Sequence, residues 1–241
     1  MADDGTDSLV TAVAHGLPIR IVASQFITDP YSLVTAPNIT TWPQLKGKSI
    51  ILGTKQDVTA LSFDKMLEAQ HLTEADFSIV VGGNSGARYA ALTSGNVGGA
   101  LLAQPFDLLA ESKGMHILAT SYDYVKDWIF TCVAVNNGWG ARNHGTVVHV
   151  VRALRKAIAY GYAHPDDAIK VLVDSTHVDR AVAQKAYDLD FRKWHAFDQS
   201  ARVSTTSLQS VAKLMMAHGI ITKVPSPRDL VDGAYLAEAS K

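Results

Sequence analysis

The sequence predicts an α/β protein in two lobes, one a parallel sheet covered by helices and the other ending in a helical tail. Three observations lead there. Between Leu45 and Leu118 short β-branched runs alternate with amphipathic segments in the order βαβαβαβ, with short loops, which requires a mostly parallel sheet flanked by helices. After Val135 almost every segment reads as helix. A chain of 241 residues, 47% hydrophobic and 19% charged, fills one large domain or two small ones with a real core and is not a disordered chain.

The elements follow in order. Residues 7–15 read as a helix with Asp7 or Ser8 as N-cap and Leu9, Val10 and Val13 on one face, stopped by Gly16. Pro18 opens a short β-branched run over 19–23, which suits a buried strand. A second extended run, 31–35, leads into an irregular connector that passes Pro37 and Pro43. Strands are expected at 49–52, 77–81, 99–103 and 115–119, and helices at 56–70, 86–93 and 106–112. One more strand, 129–135, precedes five helices: one marked by Val147, Val151 and Ile158, one opened by Pro165, then 178–189, 208–218 and 228–239. The stretch 119–127 reads as the connection back to the first lobe.

Charge and composition exclude several functions. With 22 Lys plus Arg against 23 Asp plus Glu, the net charge of −1 lacks the basic footprint of a nucleic-acid binder. The densest cationic cluster, Arg152, Arg155 and Lys156, reads as a solvated helix face. The longest uncharged stretch runs from Tyr89 to Phe106 and is too rich in Gly, Asn, Thr and Pro to insert into a membrane. The first residues have neither a basic nor an apolar segment, so no export signal is read there. A single cysteine, Cys132, permits no intrachain disulfide and no cysteine-based zinc site.

Two strand-to-helix turns carry the candidate chemistry. They are Gly53-Thr54-Lys55-Gln56-Asp57-Val58-Thr59 and Gly82-Gly83-Asn84-Ser85-Gly86-Ala87-Arg88. Helix N-terminal amides converge beyond the carboxyl ends of parallel strands, and small glycines with hydroxyl or amide side chains suit a carboxylate, a sulfonate or a similar anion. Plain helix capping would use the same residues. Neither turn matches a phosphate loop or a dinucleotide fingerprint, so no cofactor is expected. Gly83-Asn84-Ser85-Gly86-Ala87 resembles a nucleophile elbow but lacks its final glycine. The nine histidines are dispersed, with no metal-ligand spacing, and no metal site is expected; His195 alone has aromatic neighbours, Trp194 and Phe197. Cys132 reads as a small buried hydrophobe, or as a thiol facing a cleft with no base supplied by the sequence.

Three segments carry a resemblance over nearly the whole chain: PYSLVTAPNITTWPQLKGKSIILG (30–53), VVGGNSGARYAALTSGNVGGALLAQPFDLLAESKG (80–114) and DLVDGAYL (229–236). In order and spacing the chain resembles the periplasmic substrate-binding proteins of ABC importers for sulfonates, taurine, nitrate and the pyrimidine precursor of thiamine, the NMT1/THI5-like group. The resemblance implies a two-lobed type II periplasmic binding protein fold. It divides the chain into 1–36, a remnant of the first lobe and a crossing strand; 37–122, an inserted second lobe; and 123–241, the return strand and helical tail of the first. It also implies further βα elements ahead of Asp7, on the order of 60–90 residues, so that the first lobe is incomplete. The ligand would be a small organic anion or a heteroaromatic molecule clamped between the lobes, and the partner an ABC permease if the protein is exported to the periplasm. Carried over by position, the ligand-binding residues are Asp7, Ser8, Ser24, Gln25, Tyr31, Thr54, Asp57, Thr59, Asn84, Ser85, Gln104 and Phe130, with no catalytic residue.

Two features depart from the simplest form of this reading. Gly98 stands where family members usually carry an acid, which is expected to loosen the local turn. The same fold also serves enzymes, pyrimidine synthases and desulfinases or decarboxylases, and the cysteine nucleophile of the sulfinate-removing kind does not correspond to Cys132. A binding protein is therefore expected before an enzyme.

Overall fold

The computed structural model describes residues 1–125 and 127–241. Lys126, inside the connector expected at 119–127, lies outside the described residues. In chain order the elements are β1 (Ala2–Gly5), α1 (Thr6–Ala14), β2 (Ile19–Phe26), β3 (Tyr31–Thr35), α2 (Trp42–Leu45), β4 (Ser49–Leu52), α3 (Val58–Ala69), β5 (Ser78–Val81), α4 (Ser85–Thr93), β6 (Gly99–Ala103), α5 (Phe106–Ser112) and β7 (His116–Thr120). There follow β8 (Thr131–Asn136), α6 (Asn137–Arg142), α7 (His144–Ala163), α8 (Pro165–Thr176), α9 (Arg180–Tyr187), α10 (Thr205–Ala217), α11 (Pro227–Leu230) and α12 (Ala234–Ala239). They form two compact units, one of Met1–Thr28, Asp127–Ala168 and Leu189–Lys241, the other of Asp29–Lys126 and Ile169–Asp188.

The first unit is built on a three-stranded sheet, β1-β8-β2, in which β8 runs antiparallel to both neighbours. Its core joins Val22, Ala23, Val133 and Val135 of the sheet to Val147, Val148 and Val151 of α7 and to Tyr235 and Ala239 of α12. The cationic cluster read as a solvated face is engaged here. Arg155 donates to the Ala239 carbonyl at 3.2 Å and to the Ser240 hydroxyl at 2.9 Å, and Arg152 to the Glu238 carbonyl at 3.5 Å. Two guanidinium groups thus meet the carbonyl-rich C-terminus of α12, where a positive charge is favoured. The start of α1 also differs from expectation: its N-cap is Gly5, and Thr6 N–H donates to the Phe130 carbonyl at 2.8 Å, so neither Asp7 nor Ser8 caps it.

The second unit holds a five-stranded sheet in the order β5-β4-β6-β3-β7. Strands β5 and β6 flank β4 in parallel, whereas β3 runs antiparallel to both β6 and β7. The expected parallel sheet is therefore mixed. The βαβαβαβ order does set four strands in one direction, but β3, every residue of which is buried, enters between the last two from outside that series. Sheet and helices meet at Val34, Ile51, Leu92, Ala100, Leu102 and Ala110. The segment Ile169–Asp188 also belongs here, through α9 packed on α5 and the ion pair Lys185–Glu111.

Gly98 does not loosen its turn. Its N–H donates to the Ser49 carbonyl at 2.9 Å, its carbonyl accepts from Ala36 N–H at 3.1 Å, and a Cβ there would sit 2.7 Å from the Cβ of Lys48. Close approach of the 48–49 backbone requires the glycine. The tail differs too: seven helices follow β8, because α6 precedes α7 and the expected 228–239 helix is broken into α11 and α12.

Asp107, in the first turn of α5, is 1% exposed. Its Oδ2 accepts from the Ser32 hydroxyl at 2.7 Å and its Oδ1 from Leu108 N–H at 2.7 Å. Burial outweighs these bonds and that of its own amide, and pushes its carboxyl up to about 7 from 3.8. The folded chain then holds a proton that the unfolded chain releases, so stability is fully present below about pH 4 and lost as pH rises through about 7. The loss is on the order of 4 kcal/mol across that window. We expect Asp107→Asn to flatten this slope, seen as a smaller difference between urea midpoints at pH 4.5 and pH 8; an unchanged slope would count against a protonated Asp107.

Candidate functional site

The carboxyl ends of β4, β5 and β6 open on a cavity of about 520 Å³ within the second unit, lined by Tyr31, Asp57, Gly83, Asn84, Ser85, Gly86, Arg88, Ala103, Gln104 and Phe106. Each turn that forms it is fixed by its own side chains. Asp57 caps α3: its Oδ1 accepts from Thr59 N–H at 2.9 Å and from the Thr59 hydroxyl. The same Thr59 hydroxyl accepts from Gly53 N–H at 2.8 Å. Asn84 caps α4, with its Oδ1 accepting from Ala87 N–H at 3.0 Å. Gly83 takes the left-handed backbone (φ +50°) that lets the chain leave β5 and enter α4 so abruptly.

Arg88 stands at the back of the cavity and is 3% exposed. Its Nε donates to the Leu101 carbonyl at 2.7 Å, its Nη1 to the Gly83 carbonyl and its Nη2 to the Ser85 hydroxyl at 3.1 Å. The Ser85 hydroxyl also accepts from Ala103 N–H at 3.0 Å. The guanidinium carbon lies 5.7 Å from the centre of the Tyr31 ring. Burial pushes the Tyr31 hydroxyl up to about 12, a shift that the charge of Arg88 opposes and those of Asp29 and Asp57 add to.

Of the residues expected to bind ligand, this cavity brings together Tyr31, Asp57, Asn84, Ser85 and Gln104. Thr59 is buried and holds the turn from behind, while Thr54 is exposed and accepts from Gln56 N–H at 3.1 Å. The other five lie in the first unit. Ser24 is fully buried and donates to the Arg202 carbonyl at 2.8 Å; Gln25 accepts from the Thr131 hydroxyl at 3.2 Å. Phe130 packs edge-on against Phe26, 6.1 Å between centres, Asp7 is half-buried in α1, and Ser8 is exposed. Sequence reasoning placed Arg88 in the turn without naming it as a ligand-binding residue, and missed Ala103 and Phe106 as lining residues. The available signal for Arg88 was its place four residues after the N-cap Asn84, on the face of α4 that turns back toward the strand ends.

Cys132 is fully buried in β8, its sulfur 3.4 Å from the Thr6 hydroxyl. Among the described residues no group of three or more His, Cys, Asp or Glu is placed to hold a metal ion, and no helix is long and apolar enough to cross a membrane.

The sequence model of the family described as NMT1/THI5 like matches residues 1–168. The chain belongs to the NMT1/THI5-like family. Solved structures extend the likeness to the whole of this member. A ligand-binding component of an ABC-type import system from Staphylococcus aureus, solved with zinc bound, superposes with a TM-score of 0.81 at 14% identity, covering 99% of this chain and 80% of that one. The periplasmic aliphatic sulphonate-binding protein SsuA from Escherichia coli gives 0.73 at 16%, covering 95% and 74%. The desulfurization enzyme DSZB gives 0.75 at 13%, covering 99% and 84%. These likenesses show the fold, that of periplasmic binding proteins. No curated protein sequence matches the chain.

Two outcomes follow from this geometry. A Cβ at Gly53 would meet Asp57 Oδ2 at 2.2 Å and Arg88 Nη1 at 3.2 Å. Gly53→Ala is expected to cost about 1–3 kcal/mol of stability by displacing the cap of α3, read as a lower denaturant midpoint. Burial pushes the Cys132 thiol up to about 12. The folded protein should react with iodoacetamide at pH 8 on the order of 100-fold more slowly than the urea-unfolded chain, followed by mass spectrometry; equal rates would place the thiol at the surface.

Proposed function

We propose that this NMT1/THI5-like protein is the substrate-binding component of an ABC importer, holding a small organic anion or a pyrimidine-like molecule and delivering it to a permease from the periplasm. The observation that carries this reading is the cavity at the strand ends. Its volume of about 520 Å³ falls in the range of small-molecule sites, and it combines a few fixed polar groups with two aromatic walls, Tyr31 and Phe106. The family and the fold shared with binding components of importers support it.

The chemistry of the cavity favours binding over turnover. The Ser85 hydroxyl receives two donors, Arg88 Nη2 and Ala103 N–H, so its lone pairs are engaged and the partial resemblance to a nucleophile elbow has no attacking oxygen behind it. Cys132 is buried in the first unit with a thiol that resists ionisation. An enzyme on this fold would need a different nucleophile.

The test is titration calorimetry with alkanesulfonates, aromatic carboxylates and aminopyrimidines, with chromatography of the same mixtures. The expected result is saturable heat with at least one class and unchanged ligand recovered. Product formation, above all if Cys132→Ser abolished it, would replace the binding reading with an enzymatic one.

A further inference from the structure

We propose that the first unit carries a second binding site, formed by Tyr162, His195, Phe197 and Asp198, for a flat aromatic molecule bearing a protonated amine. The site shares no residue with the strand-end cavity of the second unit.

It is a cavity of about 330 Å³ lined by Ile27, Tyr162, His195, Phe197, Asp198 and Gln199. That volume lies at the lower end of the range for small-molecule sites. A wider aromatic cluster fixes the rings of its walls. Phe191 stacks on Phe197 with 4.7 Å between centres, and meets Tyr162 at a steep angle with 4.9 Å. Phe197 also meets Phe26 edge to face at 4.8 Å. Gly161 makes room for Phe191, since a Cβ there would lie 3.0 Å from its ring. The Tyr162 hydroxyl donates to the Phe197 carbonyl at 2.9 Å and ties the two walls together.

His195 is held in place by its backbone. Its φ of +47° lies in the left-handed region, which is costly for a residue with a Cβ. Hydrogen bonds on either side keep it there. Trp194 N–H donates to the Leu189 carbonyl at 2.8 Å, Ala196 N–H to the Asp190 carbonyl at 2.7 Å, and Ile27 N–H to the Ala196 carbonyl at 2.7 Å. The imidazole is exposed and stands 21° from parallel to the Tyr162 ring, 6.5 Å between centres. Among the described residues neither of its ring nitrogens has a hydrogen-bond partner. It therefore offers the cavity a ring face and an unbonded nitrogen.

Charge and shape together set the ligand's class. Asp198 is the one acid that lines the cavity, and no Lys or Arg does. Its carboxylate accepts from the Ser200 N–H and hydroxyl, each at 2.8 Å, and among the described residues it forms no ion pair. A cation here is favoured both by that carboxylate and by the negative faces of the rings. A flat ring stacks on an aromatic wall over its whole face, which a puckered aliphatic group does not. An aromatic amine meets both conditions, whereas an aromatic carboxylate would set its charge against Asp198.

The experiment is calorimetry and proton NMR of the unaltered chain with 2-phenylethylamine. Two controls accompany it: 3-phenylpropionate, similar in shape but anionic, and 2-cyclohexylethylamine, equal in charge but not flat. The aromatic amine is expected to bind tenfold or more tighter than the carboxylate and at least threefold tighter than the aliphatic amine. It should also shift one histidine ring resonance, the one missing from His195→Gly. That variant removes the ring and suits the left-handed backbone, while Asp198→Asn removes the charge and leaves an acceptor for Ser200. His195→Gly should weaken the amine three- to tenfold, and Asp198→Asn should abolish its preference over the carboxylate, each variant first shown folded by circular dichroism. If a variant does not fold, the three ligands on the unaltered chain decide. Amine binding that both folded variants leave unchanged belongs elsewhere on the molecule and overturns the proposal. Equal binding of the carboxylate, or no binding of the amine, overturns it as well.

Discussion

The second unit depends on one buried guanidinium. Arg88 joins the β6 backbone at Leu101 to the turn carbonyl of Gly83 and, through Ser85, to the amide of Ala103. Without it those strand-end groups would need other partners in a region where water has limited access. The turn after β5 is correspondingly tight: Gly83 adopts a left-handed backbone, and a Cβ on Gly82 would lie 2.7 Å from Ile51. Glycines, N-cap and arginine are one arrangement, and the cavity is the space it leaves beside Tyr31 and Phe106.

How much of this was legible in the sequence depended on whether a residue acts through local or distant partners. Strands β4 and β6 and helix α5 fall where alternation and turn residues put them, because their boundaries are set by Gly53, by Gly95-Asn96 and by Pro105 next to them in the chain. Asp57, Asn84 and Ser85 could be read as residues of a strand-to-helix turn for the same reason. Thr59 shares that turn, yet its hydroxyl is turned inward by Gly53 N–H and Asp57, a choice no spacing rule reports. The strand expected at 129–135 starts at Thr131 because Phe130 gives its N–H to Phe26 and its carbonyl to Thr6. The helix expected at 178–189 stops being α-helical at Tyr187 and widens over Asp188–Lys193, where Trp194 N–H reaches back five residues to Leu189.

The mixed sheet shows the limit most clearly. Nothing in the composition of Tyr31–Thr35 says which two strands it will separate. Its burial on every residue fits a central strand, and its two aliphatic hydroxyl residues, Ser32 and Thr35, find partners in Asp107 and in the Ile39 and His116 carbonyls. Those partners come from both sides of the insertion, so the polar residues of β3 specify its place only once the neighbouring strands exist.

Among its described residues the second unit buries three carboxyl or guanidinium side chains, Asp29, Arg88 and Asp107, and satisfies each in a different way. Asp29 accepts from Tyr31 N–H at 3.1 Å and from the Ser62 hydroxyl. Asp107 accepts from the Ser32 hydroxyl and from the amides of Asp107 and Leu108, but burial outweighs them and pushes its carboxyl up to about 7. Arg88 is held by the Leu101 and Gly83 carbonyls, the Ser85 hydroxyl and the Tyr31 side chain. Of the three, Arg88 alone lines the cavity, beside Tyr31 and Phe106.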